Sequence, residues 1–184
     1  MHMTETFRPT LLLSMPQMRD PNFSQTVVLL CDYVRDGAFG IVLNRPTDNH
    51  ASTMVNLDPP ITRGSDLPLF IGGPVQPDRG FILLDSPPET ADFRIVVDGL
   101  YLSTSAVTLR RVLEARPAPR ARVLAGYAGW GPGQLEDELA QSSWLMADVD
   151  VSLVFDVEAS RMWETALRRL GADPAALQTS PGIH

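Results

Sequence analysis

The residues of this chain that can do chemistry are few, and they gather at turns rich in glycine and proline. Asp20-Pro21-Asn22-Phe23 places a carboxylate and a ring around an Asx-type turn ahead of a strand. Asn44-Arg45-Pro46 ends one strand, Gly72-Gly73-Pro74 follows another, and Asp78-Arg79-Gly80 opens the next. The longest loop, Gly126-Tyr127-Ala128-Gly129-Trp130-Gly131-Pro132-Gly133, leads into Gln134, Glu136 and Glu138. A strand, a glycine loop and a helix in that order can cradle a phosphate. Here Glu136, Asp137 and Glu138 already answer the positive end of the helix dipole, and the spacing misses the dinucleotide fingerprint. Three readings stay open: a tight structural turn, an anion cradle, or a pocket wall of Tyr127 and Trp130 beside acidic side chains. Such a wall suits a neutral or cationic ligand.

Arg45 and Arg79 carry planar donors that match carboxylates such as Glu136 or Glu138. Gly72, Gly73, Gly129 and Gly131 let backbone approach closely. The expectation is that strand ends bring these turns together, since sites form where loops leave a rigid scaffold. The arginines would then clamp loops, while Tyr127 and Trp130 line a pocket.

Other chemistry is missing. His2 and His184 are terminal, and His50 falls in the polar stretch Asp48-Asn49-His50, read as a loop. No imidazole is placed for a catalytic triad or for zinc. Cys31 sits inside an apolar strand and reads as an inert core thiol. All 15 basic residues are arginine, so there is no lysine for a Schiff base or a P-loop. No metal or cofactor is expected.

The elements that position these residues read as follows. Short apolar runs predict strands at 10–14, 26–31, 39–43, 69–71, 80–84, 93–97, 122–127 and 151–155. Arg35-Asp36-Gly37 predicts a hairpin, hence antiparallel pairing. Helices are expected over 104–115 after a serine cap at Ser103 or Ser105, over 134–141, and over 158–170 after an Asp156 cap, with a weak one over 51–57. Gly171 should end the 158–170 helix. Strands dominate the first half, which argues for α+β: a mixed, partly antiparallel sheet with helices packed on it. A single compact domain over 1–184 is expected, with its core at about 9–171 and a mobile tail at 172–184. Met1 and His2, ahead of a second methionine, are left out of this reading.

Composition narrows the partners. A net charge of −7 repels nucleic acid and acidic membranes. The arginines at 110, 111, 116, 120 and 122 read as a solvated helix face, with a docking patch as the alternative. No apolar run is long enough to cross a membrane, and no signal peptide pattern opens the chain. One cysteine fits a reducing compartment, so a cytoplasmic location is expected.

The turns share an order with a known family. Met15-Pro16 with Asp20-Pro21-x-Phe23, Gly40-x-Val42-x-Asn44-Arg45-Pro46, Gly72-Gly73-Pro74-Val75 and Asp78-Arg79-Gly80-Phe81 lead to the block from Gly126 to Glu138, ending near Trp144-Leu145. This pattern resembles the bacterial YqgE/AlgH family over about residues 9–171. The resemblance implies an α+β fold with a mixed, branching sheet and an activity that is unassigned. One branch carries the label of transcriptional regulator of alginate production. Two departures stand out: Leu84 where many members have histidine, and Asp32-Tyr33 where many have Glu-His. Family chemistry that used those imidazoles does not carry over. The reading preferred from these residues is a regulatory module that binds a small ligand or a protein without turnover. The alternative is an enzyme pairing Glu136 or Glu138 with Asp20 or Asp78 as acid and base. Direct DNA contact comes third.

Overall fold

Ten strands form one curled sheet in the computed structural model, which describes residues 7–173 and Ala175. The first half of the chain carries β1 (Thr10–Ser14), β2 (Val27–Val34), β3 (Gly37–Val42), β4 (Pro46–His50), α1 (Ala51–Met54), β5 (Pro68–Ile71) and β6 (Val75–Leu84). The second half carries β7 (Arg94–Val97), β8 (Leu100–Ser103), α2 (Ala106–Glu114), β9 (Ala121–Trp130), α3 (Gln134–Ala140), β10 (Trp144–Asp148), α4 (Val151–Phe155) and α5 (Ala159–Arg169). The main path runs β10-β1-β2-β3-β9-β6-β8-β7, with every neighbour antiparallel. β5 joins β9 in parallel and carries β4 on its far side, so the sheet is mixed and branched.

The apolar runs of β1 and β2 are continuous because both of their faces are covered. Leu11, Leu13, Val27 and Leu29 enter an inner core closed by α4 and α5. Leu12, Val28 and Leu30 point the other way, into an outer core with Trp130, Leu135 and Trp144. A third cluster packs α2, through Val112 and Leu113, on β6 and the first half of β9. At roughly 25 cal/mol per Å² of apolar surface, this two-sided burial is the main stabilising term. The indole N–H of Trp163 donates to the Ser14 carbonyl at 2.8 Å and ties α5 to β1.

The branch point is built from glycine. Along one edge of β9, β5 pairs with residues 123–125 and β3 with 128–130. Between them the Gly72 N–H donates to Ala125 and its carbonyl accepts from Val42, both at 2.7 Å. A Cβ on Gly73 would lie 2.1 Å from the Tyr127 carbonyl carbon, and one on Gly126 would lie 2.3 Å from the Gly73 oxygen. Both glycines also have positive φ, +153° and +79°, so no side chain fits the fork. Gly126 shifts the phase of the strand as well. Leu124 and Tyr127, three apart, both pack on the inner core, whereas Ala128 and Trp130 face the outer one.

Several expected elements change. Residues 151–155 form helix α4, not a strand. Asp150 caps it, accepting from the backbone N–H of Ser152 at 3.0 Å and its hydroxyl at 2.7 Å, and a capped apolar run with one side buried winds as readily as it extends. Asp156 therefore ends α4, and Glu158 begins α5 without a side-chain cap. His50 ends strand β4 instead of lying in a loop. β8 and β10 join the sheet, and α1 is a single turn. Ser105 caps α2, accepting from the Thr108 N–H at 3.4 Å. At the far end of α5, Gly171 donates to Arg168 and Ala172 to Leu167, the hydrogen-bond pair of a Schellman stop. Of the expected tail, all but Ala172, Asp173 and Ala175 lies outside the described residues.

Candidate functional site

The five turns converge on two clefts that share the segment 73–75. The smaller, of about 290 Å³, lies between Pro21, Asn22, Arg45, Pro46, Gly73 and Pro74. Asp20 shapes its edge, its carboxylate accepting from the Asn22 N–H at 2.9 Å. Buried Asn44 holds the strands behind it, accepting from Val27 and donating to Gln25, each at 3.0 Å. Arg45 donates to the Ser24 carbonyl, not to Glu136 or Glu138. Burial lowers its guanidinium pKa from the usual arginine value. These residues fasten loops to strand ends through backbone groups.

The larger cleft, of about 1150 Å³, opens on the inner face of the sheet between β3 and the β7–β8 edge. Its floor is aromatic: Phe39 lies 5.6 Å from Phe81 and 5.1 Å from Tyr127, centroid to centroid, and Phe81 lies 6.2 Å from Tyr127. Two bulges deliver its charges. In β6, four residues (76–79) stand opposite Gly126 alone, and this excursion sets the Arg79 guanidinium 5.3 Å from the Phe81 ring and 5.9 Å from that of Tyr127. In β2 the ladder skips Cys31, whose free carbonyl accepts from Arg94 at 2.7 Å. Arg94 also grips Asp32 through both terminal nitrogens, at 2.8 and 3.0 Å, and this pairing raises its pKa above the usual value. Arg79 donates to no partner among the described residues, and the carboxylates of Asp36 and Asp92 on the same cleft accept from none. Burial pushes the Cys31 thiol up to about 12, which leaves it neutral and unreactive behind the wall.

Tyr127 and Trp130 both line the larger cleft but pack into different cores. Trp130 borders the cleft, yet its indole is 6% exposed and packs into the outer core. Its N–H donates to Glu138 Oε1 at 3.0 Å, and the Trp144 N–H reaches the same oxygen at 2.8 Å. Gln134 donates to Glu138 Oε2 at 3.0 Å and accepts from the Gly131 N–H at 3.1 Å, closing the glycine loop on itself. Phe23 packs over both indoles, at 6.4 and 5.8 Å. Glu136 accepts from the Tyr33 hydroxyl, and partial burial with that carboxylate pushes the phenol up to about 12. Gly129 lines the cleft, and the Cβ position of Gly131 opens into free space. Glu136 and Glu138 are engaged by Tyr33, Trp130, Gln134 and Trp144, and no hydrogen bond joins either to Asp20 or Asp78 among the described residues. Nor does any group of three or more His, Cys, Asp or Glu side chains among them stand ready for a metal ion.

Phe39, Phe81, Asp32 and Arg94 were not among the residues that the sequence put forward for a site. For Phe81 a signal existed, because Arg79 and Phe81 are two apart and share one strand face. Nothing local links Arg94 to Asp32. The arginines from 110 to 122 are all engaged within the chain. Arg110 and Arg111 reach Glu114 and Glu89, Arg116 the Gly64 carbonyl, Arg120 Asp156 at 2.6 Å, and Arg122 the Phe155 carbonyl at 3.2 Å.

The protein is a branched α+β sheet whose fork leaves no room for a side chain at Gly72, Gly73 or Gly126. The DUF179 (AlgH-like) family model matches residues 11–175. A UPF0301 protein of Paraburkholderia phymatum is 41% identical over 175 residues, 93% of this chain and 92% of that protein. Another, of Myxococcus xanthus, is 41% identical over 179 residues, 96% and 97% of the two chains. The solution structure of the AlgH protein from Pseudomonas aeruginosa is similar with a TM-score of 0.75 and 35% identity, covering 96% of this chain and 95% of that one. The chain belongs to the AlgH-like family. No helix of the described residues is long and apolar enough to cross a membrane.

Proposed function

We propose that this protein is a cytoplasmic small-ligand-binding module with a regulatory role, and that its ligand occupies the cleft over Phe39, Phe81 and Tyr127. The observation that carries this reading is the cleft itself: a cavity of about 1150 Å³ with an aromatic floor and convergent charges, one of which, Arg79, has no ion-pair or hydrogen-bond partner among the described residues. Binding sites are typically concave and apolar, with a few polar groups that fix orientation. Binding without turnover follows from the company these charges keep. No hydrogen bond joins a hydroxyl of the cleft to one of its carboxylates among the described residues, and the one thiol behind it is buried and held neutral. Direct DNA contact gains no support from an arginine stretch spent on internal partners.

An NMR screen of the full chain with a diverse fragment library tests the proposal. Hits should cluster on the amides of Phe39, Phe81, Tyr127 and Gly129, and Tyr127→Ala should weaken them at least 10-fold. Hits that gather elsewhere, or that ignore Tyr127→Ala, overturn it.

A further inference from the structure

Building on that cleft, we infer that its ligand is an aromatic monocarboxylate, whose carboxylate pairs with Arg79 and whose ring lies on the Phe39–Tyr127 floor. The anchoring of the charges in the cleft, not their count, decides the sign. Arg94 is neutralised, since Asp32 holds it through two hydrogen bonds and the Cys31 carbonyl takes the remaining direction. That leaves one cation, Arg79, and two carboxylates, Asp36 and Asp92, all exposed. The three differ in anchoring. Arg79 is held over two rings by the β6 bulge, whereas Asp36 sits at the β2–β3 hairpin tip and Asp92 in the connection before β7.

The Phe81 and Tyr127 rings are inclined 78° to one another, so the guanidinium can lie flat on at most one of them, and no described residue accepts a hydrogen bond from its N–H edge. That edge is a planar fork, and the smallest ligand group that matches it with two parallel hydrogen bonds is a carboxylate. A ligand cation would meet Arg79 already lying on the rings it needs. A phosphate dianion would find the fork, but it would add a second negative charge beside Asp36 and Asp92. The aromatic body follows from Phe39 and Tyr127. Each is only partly buried, and their rings are tilted 48° to one another, which leaves apolar surface for a flat group.

Three probes of one shape separate the possibilities: 2-naphthoate, the neutral 2-naphthalenemethanol, and the cationic 2-naphthylmethylamine, each titrated into the full chain by NMR. Naphthoate should shift Phe39, Phe81, Tyr127 and Gly129 and bind at least 10-fold more tightly than the alcohol. Arg79→Gln, which keeps length but removes charge, should bring naphthoate down to the level of the alcohol and leave the alcohol unchanged. Raising salt should weaken only naphthoate. Equal binding of acid and alcohol, preference for the amine, or indifference of naphthoate to Arg79→Gln each overturn the carboxylate assignment while leaving the binding cleft standing. Silence of the cleft toward all three probes overturns the assignment, and silence toward the fragment library as well removes the cleft reading beneath it.

Discussion

Tyr127 and Trp130 lie three residues apart on β9, and their surroundings are opposite. Trp130 is enclosed, its one polar atom spoken for by Glu138, its ring packed against Phe23 and Trp144. Tyr127 is half-buried on a floor that ends in open space, beside an arginine with no ion partner among the described residues. The denser motif, from Trp130 to Glu138, belongs to the closed side. A run of distinctive residues thus marks where the fold is most constrained, and the side where charges are left over is where a partner can add something. Polar groups that already satisfy one another offer a ligand only the cost of separating them.

The comparison breaks most visibly if the closed side proves dispensable. Trp130→Ala should cost about 3–5 kcal/mol, the usual range for deleting a buried aromatic ring. Glu138→Ala should cost about 2–4 kcal/mol, because it leaves the indole N–H groups of Trp130 and Trp144 unpaired in buried positions. Glu138→Gln keeps an acceptor and should cost less. Chemical denaturation measures all three, and a Trp130→Ala protein of wild-type stability would return this residue to the role of exposed pocket wall that its sequence context suggested.

A second, smaller effect tests whether the wall behind the cleft is equally closed. Cys31 is 1% exposed and its thiol pKa is raised from 9.0 to about 12, chiefly by burial, with Arg94 opposing and Asp32 adding slightly. A raised acid stays neutral in the fold, so its contribution is complete below pH 9 and is lost as pH climbs toward 12. Over that window this one group should erode stability by up to about 1.4 kcal/mol per pH unit. Cys31→Ala should flatten this part of the alkaline limb, and the native thiol should resist maleimide at pH 8. Rapid labelling of the folded protein, or identical pH profiles for both proteins, would show that the wall opens.

How much of this was legible in the sequence depends on how local each cause is. The strand at Thr10–Ser14, the two-residue turn at Arg35-Asp36, the Ser105 cap and the stop at Gly171 are set by neighbouring residues, and each could be read. Val151–Phe155 could not, since a five-residue run with four apolar side chains suits either period and the Asp150 cap favours the helix. β4, with the polar sequence Pro-Thr-Asp-Asn-His and little burial, pairs because β5 offers it an edge. The close approach at Gly72 and Gly73 was legible. The phase shift at Gly126 was not: it puts Tyr127 on the inner core with Leu124, after which ordinary alternation sends Trp130 to the outer one. Likewise the arginine–carboxylate clamp gave way to longer-range choices: Arg45 takes a backbone carbonyl and Arg79 a pair of rings.

The smallest expected effect is the sharpest test of the contrast. Arg79 is exposed, pairs with no carboxylate among the described residues and stacks on rings that Phe39 and the strand ladder hold without it. An exposed cation–π contact is worth about 0.5–1 kcal/mol. Removing Arg79 also brings relief, because a bulge of four residues no longer has to hold a long side chain in one rotamer. Arg79→Ala should therefore change stability by no more than about 0.5 kcal/mol in either direction. Arg45→Ala should cost about 1–2 kcal/mol, since it releases the Ser24 carbonyl and the turn that Asp20 begins. Equilibrium unfolding of the two variants side by side reads the difference. A loss at Arg79 as large as that at Arg45 would mean its guanidinium is a structural clamp after all, and a residue spent on holding the fold is not free to hold a ligand.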